Sequence, residues 1–250
     1  MKQLKWSAVC ITAWACLLQN VPASAQINVV TQRMETDGRT LGFDQQGYYL
    51  YLADGERGLK IVNVSNRRFF VLTGTLPLPG SVTQVAVDSR DVAVLTGAGD
   101  RQVHFVDVAD KMRPALVSTL PATGGVPRLV RKIPGKAFVV QYDDDLSVAG
   151  AFSGVEIFSH WPRAESAQLV PIEGLRDIVV THTHLLAAAG NQLLAFRRIA
   201  SGISERPETT LDFAATDAIQ SLACSGQYLF AFGAENLSVI LLPLSPLIPM

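Results

Sequence analysis

The chain has 250 residues, 48% of them apolar, and its 21 Lys and Arg against 22 Asp and Glu leave a formal charge of −1. That balance excludes the basic surface on which nucleic-acid binding depends, and the length suits one sizeable core. With three cysteines, two of them at Cys10 and Cys16, the chain has no disulfide framework to stabilise it.

Residues 1–25 read as a secretory signal peptide. Lys2 and Lys5 precede an apolar run from Trp6 to Leu18, and Ala23 and Ala25 supply the small side chains that a signal peptidase admits. The run falls short of the roughly 20 residues that a membrane span needs. The mature chain is therefore expected to start at Gln26, to be periplasmic or extracellular, and to carry no integral membrane span. A rival reading makes Cys16 a lipidated cysteine because Ala15 precedes it, although Ala13 and Trp14 suit such a box poorly. Without residues 1–25, Cys224 is the sole thiol, and its place in the apolar run 219–224 predicts a buried core cysteine.

From residue 40 onward, short alternating apolar runs recur with a period of roughly 43 residues. First strands are expected at 40–43, 83–87, 128–132, 177–180 and 219–224, and second strands at 49–53, 92–96, 137–141, 185–189 and 228–232. Third strands start at Leu59, Val103, Val155, Leu194 and Leu237, separated by 44, 52, 39 and 43 residues. From each start alternate residues are apolar, which predicts one face packed on a neighbouring unit. Fourth strands fall at 69–76, 115–120, 167–172 and 208–213. Such units predict an all-β chain, a single-domain five-bladed β-propeller of four-stranded antiparallel blades over residues 26–250.

The fifth unit runs into a Pro-rich tail at 243–249 and lacks a fourth strand. The β-prone segment 27–34 is expected to pair with residues 237–242 and close the ring, since an open end would expose an unpaired edge. An open toroid, or four regular blades with an irregular third, are the alternatives.

The string Tyr51-Leu52-Ala53-Asp54-Gly55, followed by Gly58-Leu59-Lys60-Ile61-Val62-Asn63-Val64-Ser65-Asn66, resembles the LVIVD repeat. Val103-His104-Phe105-Val106-Asp107-Val108 is similar in the second unit, and units three to five agree in spacing and apolar pattern. Asn63 stands where that family favours Asp, and Arg67-Arg68 where it favours a proline. The resemblance implies a secreted or envelope propeller with no catalytic residues in the repeat itself, its Asp and Gly serving as turn-formers.

Loops joining second to third strands open on the usual ligand face of such a scaffold. They place Asp54, Glu56 and Arg57 there, then Asp100 and Arg101, the stretch from Asp143 to Ser153, Asn191, and Glu235 with Asn236. The binding candidates are Asp54, Arg57, Asp100, Arg101, Asp143, Asp144 and Asp145. The last three open the insertion behind the 52-residue interval, read as a lid or docking loop or as a solvated loop. Its carboxylates suit a hard cation, but they lack the regular spacing of calcium loops, so no metal site is assigned.

Thr181-His182-Thr183-His184 aligns with the turn between first and second strands on the opposite face, where a polar turn is expected rather than a zinc site. Trp161 lies in the loop after the third strand of unit three, also on that face. Asp54, Asp100 and Asp143 would serve glycoside hydrolysis only if they converged near the axis. The sequence has no nucleophile elbow, phosphate-cradling loop, haem motif or CxxC, so no catalytic residue and no cofactor are assigned. The leading expectation is a non-enzymatic binding scaffold of the cell envelope, docking a protein or peptide. A carbohydrate-binding or carbohydrate-active propeller is the alternative.

Overall fold

A computed structural model describes residues 34–66, 69–89, 91–97, 100–133, 137–143, 152–159, 165–199, 202–214, 218–234 and 236–242. Every regular element among them is a strand. No helix there is long and apolar enough to cross a membrane.

The strands form five antiparallel sheets. Blade one holds β1 (Gly42–Gln46), β2 (Tyr49–Ala53), β3 (Leu59–Asn63) and β4 (Val71–Leu76) in sequential order. Blade two repeats this with β5 (Val82–Asp88), β6 (Asp91–Thr96), β7 (Gln102–Asp107) and β8 (Ala115–Pro121). Blade three has β9 (Val126–Ile133), β10 (Ala137–Asp143), β11 (Gly154–Ser159) and β12 (Ser166–Pro171). In blade four, β13 (Leu175–Val180), β14 (His184–Ala189) and β15 (Gln192–Ile199) are followed by a short β16 (Gly202–Ile203) and by β17 (Thr209–Asp212), both paired with β15. Blade five comprises β18 (Ser221–Ser225), β19 (Tyr228–Phe232) and β20 (Leu237–Leu241), and its sheet stops at β20. The architecture is that of a β-propeller, with the expected units in the expected order.

The closing strand expected at 27–34 lies outside the described residues except for Met34, and no sheet among the described residues is closed. Asp144 and Asp145, the insertion through Ala151, and Trp161 also lie outside them.

Alternation builds the core between blades. Leu59 and Ile61 pack with Tyr51 against Val85, Val92 and Val94 of blade two. Val103 and Phe105 meet Phe138, Val140 and Phe158 of blade three, with Phe105 and Phe158 ring centroids 5.7 Å apart. Val155 and Ile157 pack against Leu185, Ala187 and Phe196 of blade four, and Leu186 and Leu193 against Leu222 and Leu229 of blade five. First strands are also stapled directly, since the Asp44 carboxylate accepts the Val87 N–H at 2.9 Å and Asp177 accepts that of Leu222 at 2.8 Å.

Two expectations need correction. In blade five Leu237 and Val239 are exposed, while Ile240 of the opposite face joins the core with blade four. Phe196 in blade four faces the preceding blade three, unlike Leu59, Val103 and Val155, which face the following blade, so the face phase reverses between the third and fourth units, as a period-2 pattern permits with a one-residue change of register. Cys224 is exposed rather than buried. It lies near the end of β18, where Cys224 Sγ approaches the Gly226 carbonyl of the following turn. The Thr181–His184 segment is a turn as expected, with Thr181 N–H donating to the His184 carbonyl at 2.8 Å.

Candidate functional site

Each loop between second and third strands meets the segment that leads into the first strand of its own blade. In blade one, Asp54 follows β2 and opens a tight turn in which Asp54 N–H donates to the Gly58 carbonyl at 2.9 Å. Its carboxylate is fully buried. Oδ2 pairs with Lys60 Nζ at 2.9 Å, and Oδ1 accepts from the Thr36 and Thr40 hydroxyls at 2.8 and 2.9 Å. Burial by itself would raise the Asp54 pKa, but the Lys60 ammonium and the two hydroxyls outweigh it and hold the carboxyl below its ordinary range. Arg57, three residues on, is exposed.

In blade two, Asp100 is exposed and its Oδ2 accepts the Ser81 N–H at 3.2 Å. Gly80, with φ of 76°, lies directly against that carboxylate, where a Cβ would overlap it. Arg101 sits in the left-handed region at φ 47°, and its carbonyl accepts the Ala122 N–H at 2.8 Å, tying this loop to the segment before β9. In blade three, the partly exposed Asp143 ends β10 and forms a 2.8 Å ion pair with the exposed Arg128 of β9. In blade four, the Asn191 side-chain amide donates to the Phe213 carbonyl at 3.0 Å.

Asp54, Asp100 and Asp143 are thus engaged separately, each by its own blade. Among the described residues no group of three or more His, Cys, Asp or Glu side chains is placed to hold a metal ion.

Sequence reasoning missed a layer beneath this face. The residue after the first apolar position of the third strand is polar and buried in three successive blades: Lys60 after Leu59, His104 after Val103 and Glu156 after Val155. Each reaches the chain just before its own first strand. Lys60 does so through Asp54, while His104 Nε2 bonds the Pro79 carbonyl at 3.0 Å and Nδ1 bonds Thr119 Oγ1 at 2.9 Å. Glu156 accepts from the Tyr142 hydroxyl and, at 3.2 Å, from the Thr123 hydroxyl. Burial holds the His104 pKa below its ordinary value, which keeps the ring neutral between its two partners. Burial, and then the Glu156 carboxyl, raise the Tyr142 phenol. The signal was present in the sequence, as a polar residue at one fixed offset inside an otherwise apolar run.

This arrangement satisfies its buried polar groups internally and presents charged side chains of both signs outward. It offers directional polar contacts to a surface, and among the described residues it aligns no nucleophile, base and acid.

Residues 45–76, most of blade one, match the LVIVD repeat, so the chain carries a unit of that kind. No curated protein matches the sequence. Among solved structures the chain is similar to the β-propeller domain of Myceliophteria thermophila Cps50 (Swd1), at 12% identity and a TM-score of 0.62, covering 86% of this chain and 70% of that one. A protein from Lactobacillus plantarum is 16% identical, with a TM-score of 0.61 over 81% of this chain and 67% of that one. The computationally designed Ika8 protein is 10% identical, with a TM-score of 0.57 over 80% of this chain and 57% of that one. At these identities the likeness shows the fold.

Proposed function

We propose that the chain is an exported, non-enzymatic β-propeller scaffold of the cell envelope, closed into a toroid by residues 27–34, that docks a protein or peptide on the face formed by the loops between second and third strands. The observation that carries the reading is a division of labour. Asp54, His104 and Glu156 are buried within their blades, whereas the charged side chains of Arg57, Asp100, Arg101 and Asp143 are exposed or partly exposed, where a partner can reach them. Charged rims of mixed sign steer and orient a protein surface. Asp144 and Asp145, outside the described residues, are assigned to the same partner, and residues 1–25 direct export, with the mature chain starting at Gln26.

The test is photocross-linking from position 57 or 101 in the native envelope, with the cross-linked partner identified by mass spectrometry. Arg57→Glu with Arg101→Glu should reduce capture of that partner at least tenfold at unchanged thermal stability. Capture that survives the charge reversal, or retention of a glycan in place of a polypeptide, would sink the reading.

A further inference from the structure

We propose that Arg176 receives a carboxylate of the docked partner, seated beside Gly190 in the position that the Asp143 carboxylate takes against Arg128 one blade earlier. The partner it selects is a polypeptide segment with an exposed carboxylate, from a Glu or Asp side chain or from a chain terminus. The inference rests on the reading of the loop face as a docking surface and adds the chemistry of what docks there.

Blades three and four carry the same device in their first strands. In β9 the register with β10 slips between Pro127 and Leu129, which leaves Arg128 as the extra residue of a β-bulge. In β13 the register with β14 slips in the same way between Leu175 and Asp177, which leaves Arg176. A bulge re-aims the side chain it carries, and bulges recur beside binding sites. Both arginines are exposed. Because β1, β5, β9, β13 and β18 each pack on the next, the two stand on the innermost strands of the propeller. Gln141 joins the two bulges. It is fully buried, lies opposite Leu129 beside the first bulge, and donates from Nε2 to the Arg176 carbonyl at 2.9 Å.

The two blades differ beyond the bulge. In blade three, Asp143 stands opposite Val126, and its Oδ2 accepts from Arg128 Nη1 at 2.8 Å. In blade four the matching row is Gly190 and Gly174, where the Gly190 N–H donates to the Gly174 carbonyl at 3.1 Å. Gly190 brings no carboxylate, and a Cβ there would meet no atom within 4 Å. Blade two shows a third combination, with Thr83 in the bulge and Gly97 in the matching row, so that it has neither the cation nor the acid. Of these three blades, the fourth keeps the cation without the acid.

The rest of blade four does not neutralise Arg176. Both oxygens of the adjacent Asp177 are committed: Oδ2 accepts the Leu222 N–H at 2.8 Å and the Ser221 hydroxyl at 3.0 Å, and Oδ1 accepts the Ile178 N–H at 2.8 Å. Glu173 is exposed in the turn before β13, and among the described residues no acid forms an ion pair with Arg176. An arginine presents a planar fork of N–H donors that matches a carboxylate bidentately, which a lysine cannot do. At this end of the described blades the exposed or partly exposed cations are all arginines: Arg39, Arg57, Arg101, Arg128 and Arg176. Lys60 is buried, and Lys111 and Lys132 lie toward the opposite end.

The test is titration of the full chain with the amidated peptide Glu-Gly-Glu-Gly-Glu-Gly, followed at the Arg176 Nε–Hε and Gly190 amide NMR signals. Gly190→Asp supplies the carboxylate from within, as Asp143 does in blade three, and Gly190→Asn makes the same backbone demand without the charge; both residue types tolerate positive φ. Arg176→Gln and Gly190→Asp should each weaken the peptide at least tenfold, and Gly190→Asn no more than twofold. No binding by the unaltered chain, unchanged affinity in Arg176→Gln, or equal losses in the two Gly190 variants would overturn the proposal. A peptide with Gln in place of Glu and a free C-terminus separates the two sources, since binding as tight as the Glu peptide assigns the seat to a chain terminus. Equal binding of its amidated form, or a phosphoserine peptide bound at least tenfold more tightly than the Glu peptide, would overturn recognition of a carboxylate. Partner capture that survives Arg57→Glu with Arg101→Glu, alongside peptide binding that depends on Arg176, would count against the docking reading alone.

Discussion

Replacing Asp54 with alanine strands the Lys60 ammonium inside blade one. The Lys60 side chain is only 6% exposed and its partner 2.9 Å away is fully buried, so the charge has lost its solvation and depends on that carboxylate. Removing one partner of a buried ion pair costs about 3–5 kcal/mol. Asp37, 3.8 Å from Lys60 and itself 87% exposed, offers partial relief, which places Asp54→Ala at the lower end of that range. Changing both residues to apolar side chains of similar size, Asp54→Leu with Lys60→Met, removes the stranded charge and should cost no more than about 1 kcal/mol. Urea denaturation of the three proteins, followed by intrinsic fluorescence, measures both differences. The pH dependence gives a second check. The folded-state pKa of Asp54 is lowered, so the unfolded chain binds more protons at acid pH; the pair's contribution is complete above about pH 4 and is lost as pH falls through the lower folded value. A loss below about 0.5 kcal/mol for Asp54→Ala, or a double variant less stable than the single one, would refute the claim that burial makes this pair matter.

Because burial depresses the folded His104 pKa, stability should also fall as pH drops below about 6.5, and His104→Gln should flatten that slope in denaturation midpoints taken between pH 7 and 5. Tyr142→Phe removes a donor from the buried Glu156 carboxyl and should destabilise by about 1–3 kcal/mol, whereas Tyr228→Phe, at an exposed ring, should be silent. Gly58→Ala should be far more damaging than Gly47→Ala, for although both have positive φ, a Cβ at Gly58 would overlap the Leu76 carbonyl and one at Gly47 meets open space; circular dichroism melts of the two variants decide it. Cys224 should be alkylated by a maleimide in the folded protein, faster as pH rises toward its burial-raised pKa, and complete protection in native buffer would contradict its exposure.

The blades were legible because a strand that buries one face between neighbours must alternate, and alternation survives in a single sequence. All five third-strand starts fall inside β3, β7, β11, β15 and β20. Which face each apolar set presents was not legible, as Leu194 and Phe196 show by packing toward the preceding blade, because a one-residue change of register reverses a strand while leaving its composition untouched. The candidate loops were also found by position, with Asp54, Arg57, Asp100, Arg101 and Asp143 on or beside the turns between second and third strands. Their state was not. Asp54 and Asp100 look alike in sequence, each beside a glycine in a short turn, yet one is buried against a lysine and the other is exposed and accepts a backbone N–H.

By itself, then, the sequence determined the repeat, the strand order within each blade and the loops that share a face, because periodicity and turn chemistry act over a few residues. Only the tertiary structure decided that Lys60, His104 and Glu156 form a buried polar layer anchoring the chain before the first strands of blades one to three. Burial and pairing depend on what lies across the interface, and the partners of these side chains sit up to 33 residues away along the chain, beyond the reach of any local pattern.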